Sequence, residues 1–98
     1  MDVDFEDASL KRLEADPRFT AGYEAAIVKA FRKRLQLIRA APDERVFYAM
    51  KSLHYEKLRG DRDGQCSMRL NDQWRLLLRL QQTEDGKTVV IISIIDYH

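Results

Sequence analysis

Apolar positions fall into two regimes along the 98-residue chain. Between residues 20 and 41 they recur as Tyr23, Ile27, Ala30, Phe31, Leu35 and Ile38, three or four apart, which is the spacing of one helix face. Thr20 is the N-cap that this helix predicts, and Pro42 marks its end. From Cys66 onward the pattern shortens. "CSMRL", "QWRLLLRLQQ" and "KTVVIISIIDY", separated by "ND" and "EDG", predict three consecutive antiparallel strands. Alternation in "WRLLLRL" puts Trp74, Leu76, Leu78 and Leu80 on one face, and Arg75, Leu77 and Arg79 on the other. The last strand is apolar on both faces, as a strand inside a covered sheet should be.

Shorter signals fill the rest. "VDF" (Val3–Phe5) reads as a short strand, and "DASLKRLEAD" as a short helix capped by Asp7 and broken by Pro17. Val46, Phe47 and Met50 suggest one more helical turn, after which the chain approaches the sheet in extended form. "GDRDG" is a turn bracketed by Gly60 and Gly64. Helices first and a meander afterwards predict an α+β fold, with N-terminal helices packed on a small, mainly antiparallel sheet, in a single domain spanning 1–98.

Composition adds exclusions. At 45% hydrophobic and 34% charged residues the chain is ordinary for a soluble protein, and no stretch approaches the roughly 20 apolar residues of a membrane span. The acidic start "MDVDFEDASL" lacks the regions of a signal peptide, and a lone Cys66 excludes an internal disulfide; both point to a reducing cytoplasm. His54 and His98 are too sparse for a metal centre, so neither metal nor cofactor is expected. The net charge of +1 hides an uneven distribution: residues 1–24 hold seven acids and three bases, the remainder nine acids and fourteen bases. A basic body suits a polyanion or simply a solvated surface, and the same two readings apply to the stripe Lys29, Arg32, Lys33 and Gln36.

The candidate chemistry sits at the end, in "IISIIDYH". Here the most apolar strand finishes with three side chains that can move or orient protons. An unperturbed imidazole titrates at about pH 6.5, so His98 can act as base or acid at neutral pH. Asp96, two residues away, either orients that imidazole or pairs locally. Tyr97 either stacks on a base or packs at a sheet edge. A basic group, Lys57, Arg59, Arg62, Arg69, Arg75 and Arg79, accompanies them. Arg69 and Arg75 flank a two-residue turn on neighbouring strands, where two guanidiniums suit either a phosphate or salt bridges to Asp72, Asp61 or Asp63. No nucleotide-binding glycine loop or nucleophile elbow is present. Proton movers and cations without a metal suit RNA cleavage by the substrate's own 2′-OH.

"EKLRGDRDGQCSMRLNDQWRLLLRL", followed by a strand ending in "DYH", resembles the HigB-like toxins of the RelE/ParE superfamily. The resemblance covers Glu56 to His98 in motif and the helical half in layout. It implies a small α+β endoribonuclease, an mRNA interferase acting on the ribosome. It also implies a HigA-like antitoxin partner, a helix-turn-helix DNA-binding protein, through which alone the toxin meets DNA. By position, His98 would be the general base, Asp96 its partner, and Tyr97 a substrate-positioning residue. Lys57, Arg59, Arg62, Arg69 and Arg75 would contact RNA. His54, two residues further from Gly60 than the second histidine of other members, is the candidate general acid. Cys66 stands where the family usually carries an aromatic residue. The alternatives are a ParE-like inhibitor of a protein target such as gyrase, or a degenerate toxin that only binds its antitoxin.

Overall fold

The computed structural model describes residues 1–96, so Tyr97 and His98 lie outside the described residues. The chain runs β1 (Asp2–Phe5), α1 (Ala8–Ala15), α2 (Ala25–Ala40), α3 (Arg45–Ala49), β2 (Glu56–Lys57), β3 (Cys66–Arg69), β4 (Trp74–Thr83) and β5 (Gly86–Asp96). Single 3-10 turns at Lys51–Leu53 and Gly60–Arg62 flank β2. The five strands form one sheet in the order β1-β5-β4-β3-β2. The meander is antiparallel as expected, whereas β1 lies parallel to β5, with Val3 opposite Val89.

Asp7 caps α1 as its position predicts: its carboxylate accepts from the Ser9 backbone N–H at 2.8 Å and the Ser9 hydroxyl at 2.6 Å. Those two bonds, the hydroxyl first, hold its carboxyl below the usual value of 3.8. The start of α2 differs from the expectation. Its N-cap is Glu24, and Thr20 instead opens a turn in which Ala21 and Gly22 take positive φ of 53° and 83°. Ala21 in that region is a backbone conformation that helix spacing cannot foresee. Arg32 also leaves the solvated stripe. It folds back to donate to the carbonyls of Leu13, Asp16 and Phe19, tying the α1–α2 connection to the helix. At the far end of α2 the Met1 ammonium donates to Ile38, Arg39 and Ala41 carbonyls, closing carbonyls that a helix C-terminus leaves open.

Leu10 and Leu13 of α1, Ile27, Phe31, Leu35 and Ile38 of α2, and Phe47 of α3 bury against Met68, Leu76, Leu78, Val89, Ile91 and Ile94. These strand residues share one face, so the helices cover that face and leave the other without a helix. Leu77 and Val90 are buried on the opposite face and belong to no helix-packed cluster. A bulge adjusts the last strand: Leu77 pairs with Ser93, but Leu78 pairs with Ile91, leaving Ile92 as the extra residue. No described helix is long and apolar enough to cross a membrane.

Candidate active site

The end of the sheet where the β3–β4 hairpin turns brings several predicted residues together. Arg69 and Arg75 are register partners, and both point to the face without helices. Asn71 shapes the turn between them, its side-chain oxygen accepting from the backbone N–H of Gln73 and of Trp74 at 2.8 and 2.7 Å. The two guanidiniums then diverge in role.

Arg75 is buried, with its side chain only 10% exposed. Its Nε donates to the Ser67 hydroxyl at 3.0 Å, one Nη donates to the His54 carbonyl, and Glu56 lies 3.8 Å away. A buried guanidinium is tolerated only when its fork is filled in this way. Arg75 therefore acts first as a clamp on the segment carrying His54. Arg69 is more open. It pairs with Asp72, a side chain 95% exposed, and its Nη1 lies 3.5 Å from His54 Nε2. An ion pair to so exposed a carboxylate is worth less than about 1 kcal/mol, so a phosphate can displace it at little cost.

His54 follows the 3-10 turn Lys51–Leu53 in the left-handed region, at φ 47° and ψ 46°. That conformation costs on the order of 1 kcal/mol for a residue with a side chain, and it persists because both backbone groups are held. The His54 N–H donates to the Lys51 carbonyl at 3.1 Å, while Arg75 takes the carbonyl. The result turns an exposed imidazole toward Arg69. The unusual spacing from Gly60 thus still delivers His54 to the hairpin arginines.

Asp96 ends β5 opposite Trp74. Because of the bulge it lies on the helix-covered side of the sheet, where Gln73 Nε2 donates to its carboxylate at 3.1 Å. A cleft of about 530 Å³ opens beside it, between Tyr23 and Glu24 on the loop before α2 and Asn71, Gln73 and Trp74 on the hairpin. Tyr23 meets Trp74 edge-on at 6.1 Å, and burial, with help from Asp7, raises its phenol above the usual value of 10.0.

The remaining predicted cations are spread around this corner. Lys57 pairs with Cys66 in register, which turns it to the helix-covered side; there it lines a separate cleft of about 350 Å³ with Glu44, Gln65 and Lys87. Arg59 and Arg62 are exposed on the turn after β2. Arg79 reaches Glu6 at 3.5 Å and stays outside the site. Among the described residues no cluster of metal-ligating side chains occurs. Sequence reasoning missed Arg34, whose Nε donates to the Arg69 carbonyl at 2.9 Å. Its signal was present: Arg34 stands seven residues after Ile27, on the buried stripe of α2, where a charge interrupts an apolar face.

The fold and sequence have known counterparts. A YoeB/ParE toxin from Agrobacterium tumefaciens superposes with a TM-score of 0.63 over 100% of both chains at 19% identity. A chain of the YoeB-YefM complex from Staphylococcus aureus gives 0.60 at 18% identity, covering 100% of this chain and 97% of that one. YafQ from E. coli strain BL21(DE3) gives 0.59 at 10% identity, over 97% and 91%. At such identities these likenesses establish the fold. No curated protein sequence matches the chain. A family model described as "RelE-like toxin of type II toxin-antitoxin system HigB" matches residues 3–98. With the model spanning nearly the whole chain, the protein belongs to the HigB-like family of RelE-like type II toxins.

Proposed function

We propose that this toxin is a ribosome-dependent mRNA endoribonuclease of the cytoplasm, held inactive by a HigA-like antitoxin with a helix-turn-helix domain. The supporting observation is the convergence of His54, Arg69 and Arg75 at the hairpin end of the sheet; Asp96 ends the neighbouring strand at the same corner but on its helix-covered side. Membership of a toxin–antitoxin family and the YoeB-YefM complex among the structural neighbours support the antitoxin.

The chemistry follows from the parts. A base removes the 2′-OH proton, the 2′-oxygen attacks the adjacent phosphorus, and the bond to the 5′-oxygen breaks as an acid protonates it. A 2′,3′-cyclic phosphate and a 5′-hydroxyl end result. His98 is the proposed base, with Asp96 as its partner and Tyr97 placing the substrate. His54 is the proposed acid. Arg69 faces the phosphate, where a fixed cation stabilises the charge that builds in the transition state. Arg75 fixes His54 and adds potential without needing to touch RNA. Arg59 and Arg62 extend the basic surface along the turn after β2, whereas Lys57 faces the helix-covered side.

The test is induced expression with growth measurement and mapping of new mRNA 5′ ends, for wild type and folded His98→Ala, Asp96→Ala and His54→Ala variants. New ends in translated messages, reduced at least 100-fold in the His98 and His54 variants, support proton transfer by those groups. Arrest without new ends, unaffected by the substitutions, would instead identify a toxin with a protein target. Absence of arrest would identify a chain that only binds its antitoxin.

A further inference from the structure

Arg34 was not among the cations expected at the site, yet its position is the least easily explained on structural grounds. It sits on the buried stripe of α2, half-buried, and reaches past the core to the outer edge of β3. That edge is open at Arg69, because β2 pairs only with Ser67 and Cys66. Arg34 spends one donor on the Arg69 carbonyl, and among the described residues no carboxylate pairs with its guanidinium. A guanidinium taken partly out of water normally finds an anion. Here the charge that acts on it is another cation: desolvation first, and Arg69 second, lower the affinity of Arg34 for its proton.

Two like charges brought to one corner, one joined among the described residues only to a neutral carbonyl and the other only to exposed Asp72 and a histidine, form an incomplete arrangement. An anion at that corner would relieve both. From this geometry we infer that Arg34 and Arg69 together bind a phosphodiester group of the RNA, with Arg34 a phosphate-binding residue reaching the site from the helix side. The inference rests on the RNA-cleaving reading above and names a contact that reading does not include. It gives α2 a direct part in substrate binding, so the helix does more than cover the sheet. RNA is favoured over an acidic protein segment because His54 and the hairpin arginines, the groups proposed to act on RNA, border the same edge.

The test is binding of a fluorescent single-stranded 2′-O-methyl RNA, which has no nucleophile and stays intact, measured against salt for the full chain. Arg34→Gln retains an N–H for the Arg69 carbonyl and removes only the charge; circular dichroism and thermal melting check folding. The slope of log K against log salt is expected to fall by up to about 0.7 for Arg34→Gln and for Arg69→Gln, and by no more in the double variant, because the two guanidiniums share one phosphate on a single strand. Arg34→Lys should restore most of the slope. A slope lost in the Arg69 variant but unchanged in the Arg34 variant overturns the inference and leaves the proposed function standing. A wild type that binds with a slope neither variant changes overturns both phosphate assignments. Equal losses with polyglutamate in place of RNA would overturn the choice of RNA as the ligand, as would failure of the wild type to bind RNA at low salt.

Discussion

On one face of β3, β4 and β5 stand Met68, Leu76, Leu78, Val89, Ile91 and Ile94; on the other, one residue along, stand Ser67, Arg69, Arg75, Leu77 and Val90. The first face meets three helices and needs only shape and apolar area. The second has no helix, yet it buries Ser67 as fully as a core buries leucine, and Arg75 nearly so. There the cover is a polar clamp, in which a guanidinium joins a strand hydroxyl, a loop carbonyl and a carboxylate. Apolar packing tolerates many sequences of similar volume, whereas a clamp of this kind works only if every donor finds its acceptor. The face that specifies His54's position is therefore the one with little redundancy.

The largest loss of stability is expected on the apolar face. Leu76→Ala opens a void in the helix-covered face and should cost about 4 kcal/mol, read from the urea midpoint with an unchanged slope. On the clamped face, Arg75→Ala leaves the Ser67 hydroxyl and the His54 carbonyl without their donor, at about 2–3 kcal/mol. Arg75→Lys should recover less than half of that loss, because an ammonium cannot reproduce the fork. A near-neutral Arg75→Ala would show that the clamp is ornamental.

Away from both faces, Asp7→Ala removes the cap of α1 and should cost about 1 kcal/mol at pH 7. The folded state lowers the Asp7 carboxyl below 3.8, so its contribution is present above about pH 4 and lost as pH falls through the lowered value. Wild type and variant should thus converge in stability on acidification below pH 4. The smallest effect on stability is expected for His54→Gly. Glycine relieves the left-handed backbone but loosens the unfolded chain, and the two offset to within about 0.5 kcal/mol. If His54 is the acid as proposed, cleavage is lost all the same, and that result would separate the imidazole's chemistry from its place in the fold.

Most of the fold was legible because its patterns are local. Helix spacing on α2, alternation in β4, the Asp7 cap and the glycine-bracketed turn each depend on residues within a few positions of one another. The misplaced start of α2 had a local cause too, since Thr20 is as good a cap by residue type as Glu24 is poor. The loop before the true cap carries Tyr23, which packs edge-on against Trp74, 51 residues along the chain, a contact that no local pattern records. Arg32 was misread for the same reason: its carbonyl partners lie on another element.

For the candidate site, sequence alone determined the inventory: the proton movers, the paired arginines of the hairpin and the motifs that mark the family. Tertiary structure decided how that inventory is divided. The extra residue in β5 sends Asp96 to the Trp74 side, where unbroken alternation would have kept it with Val90. Register turned Lys57 away from the arginines, and burial made Arg75 a clamp while leaving Arg69 exposed enough to meet a phosphate. Arg34 arrived from a helix some 35 residues upstream. Which side of a sheet a residue faces depends on every register shift before it, and burial depends on what the rest of the chain packs against it; neither is written in the residues nearby.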